Sequence, residues 1–501
     1  MRLTSILAAI LLSASTQALA AAPTPSVDAI QTAKYAVRTY HADLIDTLGK
    51  MVRYKTVADK NVPFASNPQH LGFKQYLKEE AARLGLDYTD LGYVMVIGLG
   101  QSSERVGIIT HGDVQPADPS KWKKSPFELD RTSEPGRLIA RGAEDDKGPI
   151  ATAMYAMKSI KDRKLTLSKR LELYIYMAEE SDWAPLEELL KTHVPPQINI
   201  TIDADYPVVT AEKGWGLLSV VVPQQSATTT AVPQLSAFGG GSFGSQIPED
   251  AKAIIANARP ALEQLIRRRG ASHSGMRYTF SWSGAELTVR ARGRSAHSSK
   301  PEGGVNAISM LADALQVQPW SNTTAGAVVN FLNELVGTGY YGERFGSIAY
   351  RDAFMGPMTF VPTVIKQVDQ GIEISINLRR PQGKSSAQIE SEIRAVLDQW
   401  QQRQVKLGAV AMELSEPWLQ KNAPHVPTLL SVFSHFTGIR NPRPISVGGA
   451  TNSRLFPGAV SFGPAMPNVE YTAHSEHEFI TVKQLLLNLQ MYTAVMVELA
   501  K

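Results

Sequence analysis

Four short segments carry side chains that could hold metal ions, and each follows an apolar run. Ile108-Ile109-Thr110-His111-Gly112-Asp113 ends in an imidazole and a carboxylate two residues apart. On an extended chain such residues project to the same face. His111 can then ligate a metal while Asp113 holds its ring in position. Arg141-Gly142-Ala143-Glu144-Asp145-Asp146-Lys147-Gly148 sets adjacent carboxylates ahead of a predicted helix. Acids there can cap the helix or bridge two cations, and the segment alone favours neither reading. Met177-Ala178-Glu179-Glu180-Ser181 places paired acids directly behind an apolar strand. One can bind metal while its neighbour serves as general base. Ile200-Thr201-Ile202-Asp203-Ala204-Asp205 repeats the theme of an apolar strand ending in an acid. Singly, each segment also reads as a hydrogen-bonded turn, a cap or a solvated pair. Together they put His, Asp, Glu and Asp at the carboxyl ends of strands, where open α/β sheets bind their ligands.

The elements that must position these residues follow from periodicity. Ile30, Ala33, Ala36, Val37, Leu44, Leu48 and Met51 recur at helical spacing, which predicts a helix over 28–53. A second helix is expected over 67–84, and a third after Gly148. Residues 93–99, 106–110 and 171–177 read as strands. Strands alternating with helices indicate a mainly parallel α/β sheet flanked by helices. The character changes after Gly214. The stretch 227–244 is rich in Thr, Ser and Gly and reads as a loop. Beyond it, 286–291 and 371–378 read as strands, and 305–315 and 386–401 as helices. The chain then ends in a helix over 481–499. Because chain termini tend to share one domain, the expected organisation is a catalytic domain in two parts, 21–215 and 418–501. An inserted α+β lid domain is expected at 216–417.

Composition narrows the function classes. Lys and Arg number 51 against 47 Asp and Glu. So small an excess, with no long basic run, predicts neither a nucleic-acid nor a membrane partner. There is no cysteine, which excludes disulfides, a thiol nucleophile and Cys-based zinc sites. Arg2, the apolar run 6–12 and Ala18-Leu19-Ala20 fit a secretory leader at 1–20, cleaved after Ala20. The apolar run is far short of the ~20 residues that a membrane span needs. Export to a bacterial periplasm, or secretion, is the expected destination.

With these segments in order, nearly the whole chain after the leader resembles the di-zinc peptidases and deacylases that include aminoacylase, succinyl-diaminopimelate desuccinylase and glutamate carboxypeptidase. Glu179-Glu180-Ser181-Asp182-Trp183, Asp203-Ala204-Asp205-Tyr206-Pro207 and Glu212-Lys213-Gly214 resemble the bacterial di-zinc dipeptidases in particular. The resemblance implies two Zn2+ per chain, with Mn2+ or Co2+ also suited to the donors. His111 and Asp203 would hold one ion, Glu180 and His474 the other, and Asp145 would bridge them. Asp113 would orient His111, and Glu179 would be the general base. His474 lies in Ala473-His474-Ser475-Glu476-His477-Glu478. His477 is its rival there, and following Ala473 directly favours His474.

Gly293-Arg294-Ser295-Ala296-His297 resembles the family's Gly-x-Ser-Ala-His motif, which implies that His297 stabilises the oxyanion. Asn377-Leu378-Arg379-Arg380-Pro381 resembles Asn-x-Arg-x-Pro. It implies that Arg379 binds the substrate carboxylate as a fork, with Arg380 the competitor on the opposite strand face. Gly448-Gly449-Ala450-Thr451-Asn452-Ser453-Arg454 resembles the loop lining the dipeptidase substrate site, with Gly449 and Thr451 as substrate contacts. Ala450 and Asn452 depart from the usual Gly and Tyr, and Ser245 stands where Asn is common. The expected function is an exopeptidase acting on dipeptides or short peptides. The alternatives are an N-acyl amino acid deacylase and an inactive periplasmic binding relative. The dipeptidase resemblance leans toward a monomer, whereas other branches form homodimers through the lid.

Overall fold

Successive side chains of a strand point to opposite faces, and in Arg170–Tyr176 both faces are apolar. Leu171, Leu173 and Ile175 enter one core, and Tyr174 and Tyr176 a second, smaller one. A strand buried on both sides belongs at the centre of a layered sheet. The computed structural model, which describes residues 24–225, 232–320 and 323–501, places it there. The leader read at 1–20 lies outside the described residues.

The first sheet has nine strands. Arg105–His111 runs parallel to Arg170–Tyr176 on one side and to Ile198–Thr201 on the other, and Val460–Ser461 continues the parallel run. Ile445–Val447 adds one more parallel pair, on Val209–Glu212. The remaining pairs are antiparallel: Asp87–Asp90 with Val94–Leu99, Val94–Leu99 with Arg170–Tyr176, and Val209–Glu212 with both Val460–Ser461 and Trp418–Leu419. The mainly parallel sheet expected from sequence is therefore mixed, parallel at its centre and antiparallel toward its edges. The first two strands are joined by only residues 91–93, a connection too short for a parallel crossover.

Helices Val27–Met51, Lys147–Asp162 and Val482–Ala500 pack together over one face of this sheet. Ser26 caps the first of them by accepting from Ala29 N–H. The two ends of the described chain meet, with Ser26 N–H donating to Glu498 Oε1 at 2.8 Å. No described helix is long and apolar enough to cross a membrane.

The chain leaves this sheet across Lys213 and enters a second one with Gly214–Pro223. It returns between Val410–Leu414 and Trp418–Leu419. The second sheet has eight strands, all paired antiparallel. Its own core receives helices such as Ser386–Arg403, whose Ile389, Ile393, Leu397 and Trp400 are buried at helical spacing. Part of the loop expected at 227–244 is in fact a strand, Gln234–Gly240, paired with Asp250–Ala256 and Thr359–Val368. A register shift between Leu235 and Ala237 breaks the two-residue alternation, so no strand period is visible in the sequence. Residues 227–231 of that stretch lie outside the described residues.

Candidate active site

Three of the four segments follow neighbouring parallel strands of the first sheet, Arg105–His111, Arg170–Tyr176 and Ile198–Thr201, and meet at its carboxyl edge. The Asp145 segment, expected to be a fourth strand end, is instead the turn before helix Lys147–Asp162; the short strand ahead of it, Arg137–Ile139, pairs with Phe479–Thr481 outside that sheet. His111 closes its strand, and Gly112 follows because there is no room for a side chain. A Cβ at Gly112 would lie 2.6 Å from both Met177 Sδ and Phe73 Cε1. His111 Nδ1–H donates to the Asp113 carbonyl at 3.0 Å, which turns Nε2 toward the Asp145 and Asp203 carboxylates. The Asp113 carboxylate lies farther off, 3.5 Å from Nδ1. Its oxygens accept instead from the backbone N–H groups of Glu179 and Glu180, both at 3.0 Å. Asp113 therefore orients the ring mainly through its main chain and pins the Glu179–Glu180 pair with its side chain.

Asp145 is the hub. Its Oδ1 lies 2.9 Å from His111 Nε2 and its Oδ2 3.2 Å from His474 Nε2. Asp203 Oδ1 is 3.7 Å from His111 Nε2, and Glu180 Oε1 is 2.9 Å from His474 Nε2. Donor atoms of His111, Asp145 and Asp203 lie within 4.8 Å of one another, as do those of Asp145, Glu180 and His474. In a tetrahedral site with arms of ~2.0–2.1 Å the ligand atoms stand ~3.3 Å apart, so these spacings fit an ion held in each set. Asp146, the alternative acid, turns inward, accepts from Thr110 Oγ1 and caps no helix N–H with its side chain. His477 lies outside both sets, 45% exposed in its side chain and facing Glu134.

Electrostatics agree with a site built for cations. Burial opposes charge on His111, yet Asp203, Asp113 and Asp145 hold it well above the ordinary imidazole range. Burial opposes charge on His474 too, and Glu180 and Asp145 lift it to about 10. Burial and the nearby Asp203 push the Glu179 carboxyl well up. So many buried acids around two imidazoles require positive charge, and divalent cations supply it at this donor set. His474 itself has φ +62, a left-handed conformation that a non-glycine residue adopts under strain.

Side chains from the second sheet's unit close over these groups. His297 lines the same cavity, of about 70 Å³, as Asp145, Glu179, Glu180, Asp203 and His474. Its Nδ1 accepts from Ser299 N–H at 3.0 Å, which places the ring proton on Nε2. Burial, then His474 and Arg379, hold its pKa well down, so it stays neutral. Ser245 Oγ lies 3.1 Å from His474 Nδ1, and Gln246 Nε2 donates to the His474 carbonyl at 2.8 Å. The departure at Ser245 thus falls on a partner of a ligand candidate.

Arg379 is buried, donates to Asn377 Oδ1 and Ser298 Oγ, and makes no ion pair among the described residues. Burial pulls it down to about 10. It touches Ser298, the neighbour of His297, and is not part of the cavity wall. Arg380, by contrast, is consumed by Ser386, the Ser415 carbonyl and Glu416. Gly449 and Thr451 both line the cavity. The Thr451 hydroxyl and N–H are committed to the buried Glu212 carboxylate at 2.6 and 3.1 Å. Asn452 donates to Glu179 Oε1 at 3.5 Å.

Glu478 was not singled out from sequence. Its Oε1 accepts the backbone N–H groups of Glu144 and Asp145 at 3.0 and 3.1 Å, and its Oε2 receives Arg141 at 2.7 Å. It holds the hub carboxylate from behind. An acid near the last His of a ligand motif was the one available hint.

With this geometry in hand, comparison with known proteins is decisive about the family. Residues 107–498 match peptidase family M20/M25/M40, and the chain belongs to it. It is 29% identical over 478 residues to the protein YtjP of Bacillus subtilis (strain 168), covering 92% of this chain and 97% of that one. It is 28% identical over 424 residues to the Beta-Ala-Xaa dipeptidase of Lactobacillus delbrueckii subsp. lactis, covering 84% and 87%. Human carnosine dipeptidase 1 shares the fold with a TM-score of 0.59, at 14% identity, over 95% of this chain and 99% of that one.

Proposed function

We propose that this chain is a metal-dependent exopeptidase that hydrolyses the peptide bond of dipeptides and other short peptides. The observation that carries the reading is the two-faced Asp145 carboxylate, one oxygen toward His111 and the other toward His474. His111 and Asp203 would hold one divalent cation, Glu180 and His474 a second, with Asp145 between them. Zinc is the proposed ion, and manganese or cobalt suit the same donors. Such a pair supplies Lewis acidity toward a carbonyl oxygen and acidifies water.

The remaining chemistry belongs to the chain's own residues. Glu179 takes the proton of the attacking water and returns it to the leaving amine. Neutral His297 donates its Nε2–H to the carbonyl oxygen as negative charge develops there. Arg379, a buried cation without an ion-pair partner among the described residues, is not among the residues lining the cavity and receives the substrate carboxylate only when the unit that carries it shifts to open the cavity toward it. Requiring that carboxylate near the scissile bond restricts the enzyme to chain ends. Gly449 and Thr451 bound the substrate cavity, and the segment 216–417 acts as its lid. The Lactobacillus relative's name, a Beta-Ala-Xaa dipeptidase, supports a dipeptide-sized substrate. N-acyl amino acids carry the same amide and carboxylate and are the competing class.

The test is elemental analysis of the purified protein, paired with hydrolysis of a dipeptide panel before and after chelation. About two ions per chain, and hydrolysis that chelation abolishes and zinc or manganese restores, is the expected result. Hydrolysis indifferent to chelation and metal would overturn the reading. Residues 1–20 are proposed as a leader removed on export to the periplasm, which N-terminal sequencing of the mature protein tests. The proposed monomer is tested by light scattering.

A further inference from the structure

The cavity that holds the ligand candidates has a second charged feature that the proposed chemistry leaves unused. Lys300 Nζ lies 2.6 Å from Asp205 Oδ1 and 4.2 Å from the centroid of the Tyr471 ring. A carboxylate on one side and an aromatic face on the other is how proteins recognise an ammonium group. Asp205 comes from the first sheet's unit, two residues beyond Asp203. Lys300 comes from the opposite unit, three residues beyond His297. Asp205, Lys300 and Tyr471 line the same cavity as Asp145, Glu179, Glu180 and His474. They also line a larger adjoining cleft of about 880 Å³.

We propose that Asp205 and Tyr471 form the subsite for the protonated N-terminal amine of the substrate, and that the Lys300 side chain holds that place in the free protein. The inference rests on the exopeptidase reading above and extends it to substrate class: peptides with an unblocked N-terminus. The Lys300 ammonium and a peptide α-ammonium are chemically alike, each offering three N–H donors around one positive charge. Lys300 is 36% exposed in its side chain and Asp205 19%. A partly exposed pair of this kind contributes little stability, so an incoming amine can displace it. The lysine stem is flexible and opens toward the adjoining cleft. Among the described residues Lys300 is the one ion-pair partner of Asp205. A substrate amine therefore meets no other cation there. The subsite also separates the two candidate substrate classes, because an N-acyl amino acid has no ammonium to place in it.

The experiment compares Ala-Ala with propionyl-alanine, which has the same scissile amide and carboxylate and lacks only the amine. KM and kcat are measured for both on the metal-loaded wild type, Asp205→Asn and Lys300→Met. For Asp205→Asn the ratio of KM for Ala-Ala to KM for propionyl-alanine should rise about tenfold, the loss of one charge-assisted contact. The change should lie in KM and not in kcat. Lys300→Met should lower that ratio below the wild-type value, since the internal competitor is gone. If Asp205→Asn raises both KM values equally, or Lys300→Met raises the ratio, the pair is merely a clasp between the two units and the subsite is refuted. If the wild type cleaves propionyl-alanine but not Ala-Ala, the exopeptidase reading itself falls.

Discussion

Glu478→Gln isolates what holds the hub carboxylate in place. The side chain is fully buried, and so is its partner Arg141, with 1% exposure. The substitution keeps the size of the residue and one acceptor for the Glu144 and Asp145 N–H groups. It removes the negative charge opposite the guanidinium, and either orientation of the new amide leaves a donor facing a donor. Stranding one partner of a buried ion pair costs about 3–5 kcal/mol. With a urea m value of roughly 5 kcal/mol/M, above the small-protein range because m grows with chain length, the unfolding midpoint should fall by about 0.6–1 M. Because Asp145 is held through that network, metal affinity measured by chelator competition should also drop about 10–100-fold, as for other residues that orient ligands. Arg141→Met in the same chain should recover part of the lost stability, since no unpaired charge then remains. A midpoint shift under about 0.2 M together with unchanged metal affinity would refute the argument that Glu478 supports the site.

Glu179→Gln should retain bound metal, as read by elemental analysis, and lose about 10²–10⁴-fold in kcat as expected for a missing general base. Wild-type turnover in that variant would rule the assignment out. Arg379→Ala should raise KM for dipeptides with a free carboxylate far more than for their C-terminal amides. An equal rise on both would show that Arg379 only supports the fold. Burial holds His425 down to about 4, while its Nε2–H donates to the Asn199 carbonyl. A histidine that resists protonation only when folded is stabilising above its unfolded pKa of ~6.5. That contribution is lost as pH falls from about 6.5 to about 4, amounting to roughly 3 kcal/mol in all. His425→Gln should flatten that part of the stability profile in urea unfolding, and an unchanged slope would count against it.

Much of the layout is legible in the residues themselves, because helices and buried strands have local periods. The helix expected over 386–401 is Ser386–Arg403, and the strand expected over 106–110 is Arg105–His111. Gln234–Gly240 escaped because a bulge breaks its alternation. The antiparallel edges escaped because pairing direction depends on where a strand lands in the sheet, which no single segment encodes.

The sequence by itself determined the chemistry available: imidazoles and carboxylates at the ends of apolar strands, no thiol, and a family pattern that ties them to metal-dependent hydrolysis. Only the tertiary structure decided which of two neighbours is used. Asp145 faces both imidazoles while Asp146 turns away. His474 enters the cluster while His477 faces Glu134. Among the described residues Arg379 has no ion-pair partner while Arg380 is taken up by Glu416. The same holds for Glu478, which reaches the backbone of Glu144 across a separation of 334 residues. Adjacent residues share composition and local pattern, so the sequence cannot tell them apart. The direction of each side chain is fixed by packing against segments hundreds of residues away, and that packing exists only in the folded chain.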